Sequence, residues 1–189
     1  MTPRQIAAFA IGPVGGAALG LISLPVITWF FSQEDVGRMS MLQVTLGFSI
    51  LLFSLGLDQS YVREFHEAES KPALLKQAML PGLVLLVFTV LVLLSLGGTM
   101  AGWLFDLPNW HLSVLVALAL LASFISRFLS LVLLMSERGL AFSMSQVLSK
   151  LLLLVIISAY IAVGANKSLT NLILANTAAI TFVCAILGW

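Results

Sequence analysis

The run QAMLPGLVLLVFTVLVLLSLGGTMAGWLF, residues 77–105, contains no Asp, Glu, Lys or Arg. An α-helix rises 1.5 Å per residue, so about 20 apolar residues cross a hydrocarbon core about 30 Å thick. This run meets that length. Working outward, the charge-free stretches 6–33, 39–57, 107–126 and 168–189 are near or above it as well, and 140–163 is interrupted only by Lys150. The strict alternation over roughly ten-residue segments that marks a transmembrane barrel is absent. Helices are then the way to satisfy the backbone in lipid, and the fold class is all-α, a polytopic membrane helix bundle.

Composition points the same way. Of 189 residues, 60% are hydrophobic and 9% charged, against about 25% charged in an ordinary soluble domain. The mean hydropathy is +1.11. A net charge of +1 leaves no acidic or basic tail to suggest a nucleic-acid partner. The single cysteine, Cys184, cannot form an internal disulfide and reads as a small buried hydrophobe. The first apolar run is too long for the core of a signal peptide, so it reads as the first membrane helix.

The expected spans are 6–31, 39–62, 74–96, 112–135, 140–163 and 169–189, joined by short links that make successive helices antiparallel. Trp103 and Trp110, in the link at 97–110, suit the headgroup level. Arg4, Arg63, Lys71, Lys76 and Arg138 fall on the side holding the N-terminus, and Arg38 and Lys167 on the other. That excess places the N-terminus in the cytoplasm. The last stretch, ITFVCAILGW, has no polar flank, and the expectation is a truncated chain whose missing part completes this helix.

Polar residues inside the spans are costly and therefore informative. Arg127 lies roughly 13 Å along its helix from the expected inner end, with Ser123 and Ser130 on the same face. Lys150 lies roughly 15 Å deep from the same side, with Gln146 and Ser143 in register. Each is a candidate for a wet cavity, with snorkelling of the long stem to the headgroups as the alternative. Asp58, expected in the last turns of the second span, cannot make an ideal pair with Arg63 five residues on, and an interhelical tie to a cation such as Arg127 is the simplest role, with coupling or gating as the other. Arg63 reads as a boundary anchor or a cavity cation. Gly12, Gly16 and Gly20 repeat at four-residue spacing, a surface that admits another backbone closely, and Pro13 and Pro25 can bend the same helix. Asn171, Asn176, Thr177 and Thr181 make the sixth span partly polar, suited to lining a pathway or to hydrogen bonding between helices.

His66 and His111 read as interfacial residues outside any cluster with metal-ligand spacing. There is no phosphate loop, no nucleophile elbow and no carboxylate pair placed for hydrolysis. A non-enzymatic protein without metal or cofactor is expected.

The segments LGLISLPVITWFFSQEDVGRMSMLQ (19–43) and SLGLDQSYVREFHE (54–67) resemble the N-terminal part of the polysaccharide flippases, within the multidrug/oligosaccharidyl-lipid/polysaccharide exporter superfamily. Pro25, Glu34, Gly37, Gly56, Asp58 and Arg63 match that pattern, and MSERGLAFSMSQVLSK (135–150) is similar to the family's inner turn leading into the fifth helix. The resemblance implies that residues 1–189 form one six-helix lobe of a two-lobe transporter, the C-terminal lobe being missing. It implies transfer of undecaprenyl-pyrophosphate-linked oligosaccharide across the bacterial inner membrane by alternating access, for cell-surface polysaccharide synthesis, with coupling to an H+ or Na+ gradient in some members. The partners so implied are the lipid-linked oligosaccharide diphosphate, membrane lipids and the missing lobe. Arg127, Lys150 and Arg63 are the candidate substrate-binding cations, Asp58 a coupling or pairing residue, and Gln146, Ser123 and Asn176 candidate cavity residues. A cation or drug exporter of the same superfamily, or a non-transporting fragment, stays open.

Overall fold

A computed structural model describes residues 3–164 and 166–188, with the side chains of residues 3–9 outside the description. The described residues are all helical in their regular structure. In chain order they are α1 (Pro3–Phe30), α2 (Gln33–Ser54), α3 (Leu57–Glu64), α4 (Lys71–Ser95), α5 (Thr99–Phe105), α6 (Trp110–Met135), α7 (Gly139–Val163) and α8 (Leu169–Gly188). Six of these, α1, α2, α4, α6, α7 and α8, are long and apolar enough to cross a membrane.

The second span differs from the expected 39–62. It starts six residues earlier because Ser32 caps it, its side chain accepting from the Asp35 N–H at 3.1 Å. Glu34 and Asp35 sit in the first turn, where carboxylates complement the helix dipole. Arg38 then folds back on Glu34 at 2.7 Å. Residues 33–38, left as a link between the first two expected spans, are therefore helix. The span ends at Ser54 because Leu55 and Gly56 both adopt left-handed backbone, φ 52° and 75°. Glycine takes that conformation freely, whereas a leucine there costs about 1–2 kcal/mol, so the break is held by its surroundings.

After the break the chain restarts as the short α3, which buries Asp58, Tyr61 and the following Phe65. Asp58 thus belongs to a separate helix beyond the second span. The link at 97–110 similarly contains α5, tied to α6 by the Ala101 N–H donating to Ser113 Oγ at 3.1 Å. Trp103 and Trp110 remain exposed beside it, as amphipathic rings at a headgroup boundary would be.

The core centres on α6, which packs against α2, α3, α4, α5, α7 and α8. Phe124 and Phe128 of α6 stack at 5.1 Å and are fully buried. Close helix approach depends on missing side chains. A Cβ on Gly82 of α4 would run into the Phe53 carbonyl and lie 2.8 Å from Phe124 Cζ. On α1, a Cβ at Gly12 would sit 2.8 Å from Ser143 Cα and one at Gly15 3.1 Å from Val147 Cγ2 of α7. The glycine repeat of the first span is therefore its seam with α7. α1 runs through Pro13 and Pro25 as one helix, packs chiefly on α7, and barely touches α2. Its outer face carries Leu21, Leu24 and Trp29 exposed, a surface fit for lipid tails.

Candidate functional site

Two adjoining cavities open among the spans. The first, about 370 Å³, lies between α2, α6, α7 and α8. Its polar wall comprises Ser123, Ser126, Arg127 and Ser130 from α6 with Gln146 and Ser149 from α7. Arg127 is roughly 12 Å along α6 from its end at Met135. The second cavity, about 380 Å³, lies between α1, α2, α7 and α8, with Ser23, Gln43, Ser149, Lys150 and Asn176 as its polar residues. Lys150 is roughly 16 Å from the start of α7, near the middle of the span. Gln43, Ser149 and Ile180 line both cavities, so the two compartments adjoin.

The two cations are in different electrostatic states. Arg127 Nη2 donates to Asp58 Oδ2 at 3.2 Å, with the arginine side chain 43% exposed and the aspartate 11%. The guanidinium thus already has a counter-ion, though more than a single carboxylate oxygen could be accommodated by its donor fork. Lys150 has no carboxylate partner among the described residues. Its Nζ donates to the Gly16 carbonyl of α1 at 2.8 Å, and none of the chain's eight acidic residues lines its cavity. An ammonium held near mid-span by one neutral carbonyl has charge and donors to spare.

Most of the cavity hydroxyls are committed on one side, the exception being Ser126 Oγ, which is buried with no hydrogen-bond partner among the described residues. Ser23 donates to the Leu19 carbonyl at 2.6 Å, Ser149 to Gln146 at 3.1 Å, Ser123 to Leu120 at 3.0 Å and Ser130 to Ser126 at 2.7 Å. Each of these four spends its proton on its own helix and keeps oxygen lone pairs. Asn176 is buried, and its Oδ1 accepts from Gln43 Nε2 at 3.0 Å, joining α8 to α2.

Of the residues singled out in the sequence, Arg127, Ser123 and Gln146 come together in the first cavity and Lys150 and Asn176 in the second. Asp58 meets Arg127 at the edge of the first. Arg63 stands apart, exposed in the last turn of α3 and absent from the walls of both cavities. Gln43 escaped the sequence reading although it bridges both compartments; a lone glutamine inside the uncharged run 39–57 was the available signal. Gly16 contributes through its carbonyl, which no side-chain pattern reveals. Among the described residues, no group of three or more His, Cys, Asp or Glu could hold a metal ion.

These features define a polytopic helical membrane protein whose apolar bundle holds two adjoining cavities, one lined by Arg127 and the other by Lys150. A family model described as polysaccharide biosynthesis protein matches residues 4–188. The chain belongs to that family, whose members' shared description agrees with a six-helix apolar bundle of a membrane protein in polysaccharide biosynthesis. Comparisons with curated proteins and with solved structures return no match.

Proposed function

We propose that the chain is the N-terminal, six-helix lobe of a flippase that moves polyprenyl-diphosphate-linked oligosaccharide across the bacterial inner membrane, its N-terminus cytoplasmic and a second lobe completing the alternating-access unit. The observation that carries this reading is the Lys150 ammonium, near mid-span in a cavity without a carboxylate. An anionic headgroup crossing a low-dielectric layer needs compensating charge at that depth. A cationic cargo would need the opposite sign, so the walls favour the glycan flippase over a cation exporter. Arg127, neutralised in part by Asp58 and nearer the end of its helix, suits a first contact, and Lys150 the deeper one. The lipid tail stays in the bilayer, and no bond is made or broken.

The test uses full-length protein in lipid nanodiscs and a polyprenyl diphosphate as probe. Lys150→Met keeps the stem and removes the charge. The expected result is a loss of affinity of about tenfold or more, with Lys150→Arg retaining most of it, because one charge-assisted hydrogen bond is worth roughly 1.5–3 kcal/mol. Equal affinity of wild type and Lys150→Met at equal folded yield would refute the assignment.

A further inference from the structure

The wall of the second cavity combines an unmatched donor with oxygen acceptors that a phosphate alone would not engage. Asn176 is 4% exposed, and its Nδ2 is buried with no hydrogen-bond partner among the described residues. Its Oδ1 is already fixed by Gln43 from the facing helix. Were this amide pair only a tie between α2 and α8, the spare N–H groups would sit unmatched in a dry bundle, the costly arrangement that native interiors avoid. Asn176 is one of the residues lining a cavity within the roughly 300–1,000 Å³ range of ligand pockets, and a small turn of its amide would offer the unmatched donors to an occupant.

The wall has both hydrogen-bonding polarities. Asn176 Nδ2 and the remaining Lys150 N–H groups are donors. Ser23 and Ser149, having given their protons to Leu19 and Gln146, keep oxygen lone pairs as acceptors, and the Gln43 carbonyl oxygen adds another. A bare phosphate only accepts, so it would leave these oxygens idle or repelled. An apolar chain would leave all of them unpaired. A hydroxyl both donates and accepts, and a sugar ring carries several at the spacing of neighbouring side chains.

We infer that Gln43 and Asn176, with Ser23 and Ser149, form a saccharide subsite that reads ring hydroxyls next to an anion held by Lys150. This rests on the anionic-cargo reading above and adds that the first sugar, as well as the phosphate, is recognised near mid-span. Leu153 and Ile180 supply the apolar part of the wall, against which the C–H face of a ring can lie.

The experiment compares two probes on the full-length protein in nanodiscs: a polyprenyl diphosphate, and the same lipid carrying one hexose. Wild type is expected to bind the hexosyl lipid about tenfold more tightly, the worth of one or two net hydrogen bonds. In Asn176→Ala that preference falls to about twofold or less while affinity for the bare lipid is kept. Gln43 is exposed, so Gln43→Ala gives the same comparison without emptying a buried position, and it should weaken the preference similarly. No preference in wild type, or an undiminished one in folded Asn176→Ala and Gln43→Ala, overturns the subsite and leaves the anion reading standing. Bare-lipid binding that ignores Lys150→Met overturns the anion reading itself, and the subsite with it.

Discussion

Removing Arg127 should cost more stability than removing its partner Asp58, and the difference follows from their unequal burial. The pair is 3.2 Å apart, with the arginine 43% exposed and the aspartate 11%. Arg127→Gln strands a carboxylate that is close to nine-tenths buried. Breaking a fully buried pair this way costs about 3–5 kcal/mol, and the partial hydration around the guanidinium end reduces this to about 2–3 kcal/mol. Asp58→Asn instead leaves a guanidinium with ready access to water and an amide that can still accept from it. Its cost is about 1 kcal/mol or less. Near 1 kcal/mol per 2–4 °C for chains of this size, Arg127→Gln lowers the melting temperature by roughly 4–12 °C and Asp58→Asn by roughly 4 °C or less. In the double variant no charge is stranded, so it should melt above Arg127→Gln, a coupling of about 1–2 kcal/mol in the double-mutant cycle. The assay is thermal melting of the detergent-purified protein followed by loss of monodisperse material on size exclusion. If Asp58→Asn were the worse single change, or the two effects simply added, the pair would not be the buried-carboxylate tie inferred from its geometry.

Two further outcomes test the architecture. Gly82→Ala places a methyl against the Phe53 carbonyl and Phe124, and overpacking of this kind costs about 1–3 kcal/mol, whereas Gly37→Ala, with nothing within 4 Å of the added carbon, should melt within about 2 °C of wild type; equal melting of the two variants would discount the α2–α4 contact. For sidedness, single cysteines at Glu137 and Asn166 in a Cys184→Ser background should react with a membrane-impermeant thiol reagent from opposite faces of intact cells, Asn166 from outside and Glu137 only after permeabilisation, and labelling of Glu137 in intact cells would reverse the proposed orientation.

The spans were legible because each is a long uncharged run, and a bilayer imposes one length on all of them. Five of the six expected ranges agree with the observed helices to within three residues at each end, and the third, fourth, fifth and sixth owe this to polar or glycine punctuation in SKP, PNW, ERG and NKS. The second failed at both ends for local reasons. Hydropathy treats QEDVGR as a loop, while Ser32 capping and the acids of the first turn make it helix. At the other end, Leu55 is as apolar as its neighbours, and nothing in its side chain announces a left-handed backbone; Gly56 was the only hint. The serine stripe on α6 was visible by its spacing and reaches the first cavity, whereas of the stripe read on α7 only Gln146 and Lys150 reach a cavity and Ser143 is buried against Gly12 of α1. The link from Lys150 to a main-chain carbonyl and the amide bridge from Gln43 to Asn176 cross between helices far apart in sequence, so only the packing could disclose them.

The glycine seam and the Lys150 cavity depend on one another. A lysine in a span would ordinarily extend its stem toward the nearest headgroup layer. Here its ammonium instead reaches the Gly16 carbonyl, because α1 presents no side chain on that face: a Cβ at Gly16 would lie 3.7 Å from Nζ, and one at Gly20 likewise. An alanine at either position only touches the ammonium, but a larger residue would occupy the volume it fills. Small residues that let α1 close on α7 at Gly12 and Gly15 thus continue upward as the space in which Lys150 is held. The same seam seals the bundle and positions Lys150, which has no acidic partner among the described residues, near mid-span. Strengthening the helix contact with larger apolar side chains would therefore be expected to cost the charge its place, which is a physical reason for a repeat of glycines where leucines would bury more surface.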